Sequence, residues 1–310
     1  MNYKDTIKEA WQFAQANKKM VTWYALIPSI ITTLSGIIFV LYQYFSFQKV
    51  VDVNGEEHSM TYTFLLDVWN YLKLNPDIWW VYIVLASVLI IIYFFYPTFS
   101  VGAIIQLTAR KKKGQEVKLI NGVTHGLASF LPLFEYHLLL KSFSITAVLT
   151  ESTFIIRNLD GSFINFLLPI FILIGIAGLF LTLFFTYAEW YIVIDDEGVF
   201  SALQKSAKLV FHSWQHTFLI LILLLVIVLR VILNMILVFV IPVLVFAAVG
   251  FFASAAVEGI GFALTGVVAI ISLYIAGYLG GTLSIFSHAV WTFTFLELTE
   301  NGPGSARDEG

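Results

Sequence analysis

The chain consists mainly of long apolar runs separated by short polar segments. Six of these runs reach the length of about 20 residues that a helix needs to cross a ~30 Å hydrocarbon core. They are Val21–Phe47, Ile78–Leu107, Phe130–Thr150, Phe163–Ile194, Phe218–Val249 and Gly261–Leu296. The runs are continuous, which favours helices over the short alternating strands of a membrane barrel. The sequence therefore predicts an all-α integral membrane bundle of six transmembrane helices.

Three polar segments carry apolar residues at spacings of three and four, which is typical of amphipathic helices. They are Tyr3–Ala16, Val117–Ser129 and Gly198–His212. Each precedes one span that runs from the inner to the outer side of the membrane and a second span that runs back. The pattern therefore predicts three repeats of an amphipathic helix plus a transmembrane hairpin. The repeats cover roughly residues 1–109, 115–195 and 196–300 of a single transmembrane domain, 1–300. We expect the short helices to lie in the headgroup plane.

The returning spans also align with one another. Phe185–Trp190 matches Phe286–Trp291, with Ala-x-Trp in each, and Tyr96–Ser100 matches them more loosely. The alternative is that hydrophobic hairpins joined by basic linkers look alike by composition alone.

Three further segments lie outside this plan. In the outer segment 50–77, Phe64, Leu65, Val68, Trp69 and Leu72 predict an interfacial helix. Residues 246–261 are rich in small side chains and are interpreted as an external turn, with or without a short extra helix. The Gly- and charge-rich tail 301–310 is expected to be disordered and cytoplasmic.

Composition supports a bilayer as the solvent. The 310 residues are 59% hydrophobic and 12% charged, whereas soluble chains carry about 25% charge. The net charge of −3 disfavours nucleic acid as a partner, and the absence of cysteine excludes disulfides and thiolate metal sites. The first twenty residues lack the apolar core of a cleavable signal peptide.

The distribution of lysine and arginine predicts the orientation. With a cytoplasmic N-terminus, twelve basic residues fall on the inner side and three on the outer side. We therefore expect both termini to be cytoplasmic, in a bacterial inner membrane.

One motif carries a family resemblance. Asp195–Val199 and then Ala202, Leu203 and Ser206 follow directly on Ala188–Trp190. This arrangement resembles a group of bacterial polytopic membrane proteins that includes the membrane-embedded domain of some glycerophosphodiester phosphodiesterases. The resemblance implies a membrane module without the separate catalytic barrel. The structural alternative is that the acidic residues favour a helix N-terminus and that Gly198 permits the turn.

Polar residues within the spans are the candidate functional residues, because burying charge in a bilayer is expensive. The candidate intramembrane cluster comprises Glu135, His137, Lys141, Glu189, Arg230, Asn234 and His288. Such a cluster could bind an anionic headgroup or relay protons. Alternatively, its members pair with one another and hold the bundle together.

Two other features have competing interpretations. The run Arg110, Lys111, Lys112 and Lys113 is a topology signal, an anionic-lipid contact, or both. Gly277 and Gly281 favour tight helix packing or a homodimer seam. His212 and His216 have metal-ligand spacing without a third ligand nearby, so we expect no metal site and no cofactor.

No catalytic motif is present in the sequence. The predicted function is a non-enzymatic membrane protein that interacts with lipid or serves as a scaffold for a protein partner. The alternatives are a small-solute or lipid transporter that uses Lys141, Arg230 and Glu189, and an intramembrane enzyme.

Overall fold

The computed structural model describes residues 3–51, 55, 57–141, 143, 145–158, 161–252 and 255–300. This part of the chain consists of helices, connecting turns and one short β-hairpin, β1 (Lys49–Val51) and β2 (Glu57–Ser59). The helices are α1 (Tyr3–Ala16), α2 (Lys18–Met20), α3 (Leu26–Phe47), α4 (Met60–Leu74), α5 (Trp79–Lys112), α6 (Asn121–Ala128), α7 (Phe130–Lys141), α8 (Ile145–Asn158), α9 (Gly161–Phe184), α10 (Ala188–Ile194), α11 (Val199–His212), α12 (Trp214–Phe252) and α13 (Ala255–Glu300). The all-α prediction is confirmed.

Five helical stretches are long and apolar enough to cross a membrane, judged by length and composition. They are Lys18–Phe47, Pro76–Lys112, Asn165–Ile194, Trp214–Ala248 and Ala263–Glu300. The predicted span Phe130–Thr150 is instead divided between two shorter apolar helices, α7 and α8. At 1.5 Å per residue, α7 is only about 18 Å long and cannot cross alone.

The segment 246–261 also differs from its prediction. Helix α12 continues to Phe252 and α13 begins at Ala255, so most of the expected external turn is helical. Residues 253–254 between the two helices lie outside the described residues, so an external turn there stays a prediction. The tail 301–310 lies outside the described residues.

Contacts divide the chain into two units. The first comprises Met1–Thr33, Pro97–Tyr136 and Leu183–Gly310, and the second comprises Leu34–Tyr96 and His137–Thr182. In the second unit, Ser59 caps α4 by accepting a hydrogen bond from the Tyr62 backbone N–H at 3.2 Å. No residue of α4 is buried, and the interfacial position of this helix stays a prediction.

In the first unit, each predicted amphipathic helix packs against one of the returning spans. Helix α1 packs on α13, with Trp11 against Phe286 and Phe13 against Phe293. Helix α6 packs on α5 through Gly126, and α11 packs on α10. Much of the surface expected to face headgroups therefore faces protein.

Each of these three helices buries two small residues four positions apart. The pairs are Thr6 and Ala10 in α1, Gly122 and Gly126 in α6, and Ala202 and Ser206 in α11. Small side chains let two helix axes approach closely. The close approach brings polar backbone atoms within reach: the Ser206 hydroxyl donates to the Phe184 carbonyl at 2.8 Å.

The two aligned Ala-x-Trp segments meet in the first unit. Trp190 of α10 and Trp291 of α13 lie 6.3 Å apart between ring centroids, and the Trp190 indole donates to the Thr292 hydroxyl at 2.9 Å. Ala188 and Ala289 are both fully buried. The two segments with similar sequences therefore pack against each other.

The turn before α11 does not depend on Gly198. Gly198 has a φ of −67°, which any residue adopts, whereas Asp196 has a φ of +55°. The expectation that Gly198 permits the turn is wrong. Glu197, two residues before α11, accepts hydrogen bonds from Lys205 and from Ser201, and the Lys205 hydrogen bond lowers the pKa of the Glu197 carboxyl. The first turn of α11 holds no acidic residue, so stabilisation of the helix N-terminus by the acidic residues stays a prediction.

Two substitutions test this assignment of the turn. Asp196→Gly should raise the free energy of unfolding by about 0.5–1 kcal/mol, because glycine adopts the left-handed conformation without a steric penalty. Gly198→Ser should leave the free energy of unfolding unchanged or raise it by a few tenths of a kcal/mol. A Cβ there meets no atom within 4 Å, and serine caps helices well. Thermal unfolding of both variants in detergent checks this. The reverse order of stability would restore the role of Gly198.

Candidate functional site

Helix distortions shape the part of the first unit where α3 meets α5. A π-helical turn, Val21–Ala25, precedes α3, and Pro28 follows within its first turns. Proline has no N–H, so Pro28 cannot donate to the Tyr24 carbonyl. The Ser100 hydroxyl of α5 donates to that carbonyl instead. The Tyr24 hydroxyl in turn donates to the Leu119 carbonyl at 2.6 Å.

Glycines of α13 let it approach α3 and the π-helical turn closely. A Cβ on Gly281 would lie 3.2 Å from the backbone of Ala25, and one on Gly277 would lie 2.5 Å from the Ile30 side chain. The predicted packing use of Gly277 and Gly281 is therefore confirmed.

A groove of about 420 Å³ lies between α3, α5, α12 and α13, entirely within the first unit. Its lining contains hydroxyl and apolar side chains and no charged residue. The hydroxyl residues are Tyr24, Ser29, Thr32, Thr33, Ser100, Ser284 and Ser287. Small-molecule sites commonly enclose ~300–1,000 Å³, so the groove could hold a small ligand or part of a lipid.

The groove hydroxyls fall into two groups. Four are occupied: Thr33 and Ser100 donate to the carbonyls of Ser29 and Tyr24. The Tyr24 hydroxyl donates to the Leu119 carbonyl, and the Ser284 hydroxyl lies 3.4 Å from the His288 Nδ1. The hydroxyls of Ser29, Thr32 and Ser287 make no hydrogen bond to any residue that the structure describes. These three can donate to a bound acceptor, and no cation or anion among the lining residues competes for it.

The predicted polar cluster does not line this groove. Arg230 and Asn234 are exposed on α12, and Glu135 is exposed on α7. His288 is half-buried on α13, where it bonds the Ser284 carbonyl at 2.7 Å and lies 6.3 Å from the Trp190 ring. Its aligned neighbour Glu189 is half-buried on α10.

The remaining two members of the cluster belong to the second unit. His137 is half-buried on α7. Lys141 ends the same helix, but its side chain lies outside the described residues.

Two of the four residues in the basic run, Lys111 and Lys112, bind other side chains of the first unit. Lys112 pairs with Glu9 of α1 at 2.5 Å and lies over the Phe293 ring at 4.6 Å, and Lys111 donates to Asn17. These two residues therefore join the end of α5 to the N-terminal region.

Arg110 and Lys113 form no hydrogen bond or ion pair within the described part of the chain. Partial burial and the nearby Arg110 charge lower the pKa of His125. Arg110 and Lys113 thus remain available for an anion.

The histidine pair of the α11–α12 region is also partly engaged. His216 hydrogen-bonds the Tyr3 hydroxyl of α1, while His212 is exposed. No group of three metal-ligating side chains occurs among the residues that could be searched.

Sequence reasoning missed the groove. Isolated serine and threonine residues are common in transmembrane helices, where they usually bond the carbonyl one turn back. Two signals were available: Pro28 directly before Ser29, and hydroxyl residues clustering at the same depth of several spans.

No protein-family model, curated protein or solved structure matches this chain. The groove and the basic run are therefore the features that indicate a function.

Proposed function

We propose that the chain is a non-enzymatic, multi-pass membrane protein that binds lipid in the groove of the first unit. The observation that carries this proposal is the set of three hydroxyls, on Ser29, Thr32 and Ser287, which have no hydrogen-bond partner among the described residues although they lie along apolar spans. A polar group without a partner in hydrocarbon costs free energy. An uncharged lipid segment with ester or hydroxyl oxygens supplies acceptors to the hydroxyls and methylenes to the apolar wall.

The absence of charge in the groove lining distinguishes this proposal from the transporter alternative. A central pathway through Lys141, Arg230 and Glu189 requires these side chains to face one cavity. Arg230 instead lies on the exposed side of α12, and neither Arg230 nor Glu189 lines the groove. A neutral ligand is therefore the better fit to this site.

The proposed membrane arrangement has six crossings, with α7 and α8 in succession forming the third. Both termini are cytoplasmic in this arrangement, in a bacterial inner membrane. The inward excess of lysine and arginine supports the orientation. Arg110, which is half-buried, and Lys113, which is exposed, would then attract anionic lipid headgroups at about 1 kcal/mol per charge.

The threefold repeat belongs to the same proposal. Each short helix packs a pair of small residues against a returning span: α6 on α5, α11 on α10, and α1 on α13. The order is cyclic, because α1 packs on the last helix as the others pack on the helix before them. This regularity supports three repeats in addition to the sequence pattern. The resemblance to the membrane-embedded domains of glycerophosphodiester phosphodiesterases rests on the motif at Asp195–Val199 and stays a prediction.

A photoactivatable phospholipid with its reactive group on one acyl chain tests lipid binding. In vesicles, we expect preferential cross-links to α3 and α13 at the groove. The triple variant Ser29→Ala, Thr32→Val, Ser287→Ala should reduce this labelling by about tenfold or more, because three hydrogen bonds of ~0.5–1.5 kcal/mol each are removed.

Thr282→Val provides the matched control, since the Thr282 hydroxyl bonds the Tyr278 carbonyl of its own helix and does not line the groove. Its labelling should equal that of the original chain. Uniform labelling of all exposed helix faces, unchanged in the triple variant, would contradict the lipid site.

A further inference from the structure

Arg230 places a charge near the middle of the most apolar candidate span. The span Trp214–Ala248 has a mean hydropathy of 3.1, and Arg230 is its one charged residue. At 1.5 Å per residue, Arg230 lies about 24 Å from Trp214 and about 27 Å from Ala248. The 35-residue span is about 52 Å long, so its ends project beyond a ~30 Å hydrocarbon core. With the middle of the span at the middle of the core, Arg230 lies about 15 Å from each surface of the core, farther than an arginine side chain reaches.

The Arg230 side chain faces outward without a partner. It is exposed, and it makes no hydrogen bond or ion pair with any described residue. Asn234, one helical turn further on, is also exposed and also without a hydrogen bond in the described part of the chain. The surrounding side chains are apolar and exposed: Val226 at 62%, Leu233 at 57% and Leu237 at 64%.

Lipid tails cannot solvate a guanidinium, so a charge at this depth needs an anion or polar acceptors beside it. We infer that the face of α12 centred on Arg230 and Asn234 binds a transmembrane helix of a partner protein that carries an aspartate or glutamate at the same depth. The carboxylate would pair with Arg230, and Asn234 would add a hydrogen bond across the interface. This inference does not depend on the lipid groove.

A second copy of the chain and a lipid phosphate are the two other possible occupants of this face, and neither fits it. A second copy of the chain packed through the same face around a twofold axis would bring Arg230 towards its own counterpart and would supply no anion. A lipid phosphate lies at the membrane surface, too far from the middle of the span. A helix with an acidic residue meets both the charge and the depth.

Synthetic transmembrane peptides provide the test. Fluorescent polyleucine helices with a central Glu, Gln or Leu are reconstituted with the full chain in neutral phosphatidylcholine vesicles, and association is measured by energy transfer. We expect the Glu peptide to bind about tenfold more tightly than the Leu peptide, with Gln between them. Arg230→Leu should abolish the preference for Glu, and Asn234→Leu should reduce it.

Leu237→Val is the matched control, because it lies on the same exposed face and leaves the charge in place. It should preserve the preference. Equal binding of the three peptides to the original chain would overturn the inference. So would Arg230-dependent self-association of the chain, or a loss of anionic-lipid binding in Arg230→Leu in place of a loss of peptide preference. Monodisperse elution of each variant confirms that it is folded.

Discussion

Gly126→Val is expected to destabilise the first unit by about 3 kcal/mol, the upper part of the usual range for overpacking. A Cβ on Gly126 would lie 2.6 Å from the Phe99 carbonyl oxygen and 2.8 Å from the Phe99 ring. The carbonyl belongs to the backbone of α5 and cannot rotate away as a flexible side chain would. Helix α6 must therefore move away from α5.

The loss of stability can be measured as the temperature at which heated protein ceases to elute as a single species. Gly36→Val makes the same chemical change in α3, where a Cβ meets no atom within 4 Å. That control should remain close to the original chain. If both variants lost the same stability, the effect would reflect helix propensity and not the contact with Phe99.

Ser206→Ala should cost about 2–4 kcal/mol for a different reason. The fully buried Ser206 hydroxyl accepts a hydrogen bond from the Tyr187 N–H at 3.0 Å and donates one to the Phe184 carbonyl at 2.8 Å. Alanine removes both bonds and leaves two backbone groups without these partners, at ~1–3 kcal/mol each.

Ser201→Ala is the appropriate comparison within α11. The Ser201 hydroxyl donates to the Glu197 carboxylate at 2.6 Å in a partly exposed position, where water can replace it. Its effect on the same thermal midpoint should be about 0.5–1 kcal/mol. A Ser206→Ala variant as stable as Ser201→Ala would show that α11 is not held to α10 through this hydroxyl.

The bounds of a helix are predicted well where charged or polar segments flank it on both sides. Helix α1 coincides with the predicted Tyr3–Ala16, and α11 begins one residue after the predicted Gly198. Both lie between charged or polar segments. Helix α6 begins only at Asn121, four residues later than predicted, because the apolar spacing continued into the preceding turns.

The orientation of residues within the long spans could not be predicted. Helix α12 is apolar around its whole circumference, so periodicity gives no indication of which side is buried. Arg230 and Asn234 were therefore grouped with residues of other helices, although they are exposed on α12. Hydrophobicity likewise gave no sign that α7 ends at Lys141.

The small residue pairs were visible in the sequence but carried little weight by themselves. Thr6 with Ala10, and Ala202 with Ser206, are ordinary residues at an ordinary spacing. Their importance lies in the returning spans that they contact, and those contacts join segments far apart in the chain. Long-range partners of this kind are not encoded in any local pattern.

The contact between α1 and α13 has a consequence for biosynthesis. Helix α1 emerges from the ribosome before α13, so the surface that it covers, around Phe286 and Phe293, is made later than α1 itself. Contacts between distant segments form slowly, and chains under synthesis expose the surfaces that such contacts will later cover. Until α13 is inserted, the core cluster that contains Ala10 and Ala14 lacks its α13 members, among them Phe286 and Phe293. Completion of the first unit is therefore a late event, and truncation within α13 should leave α1 unprotected from proteases.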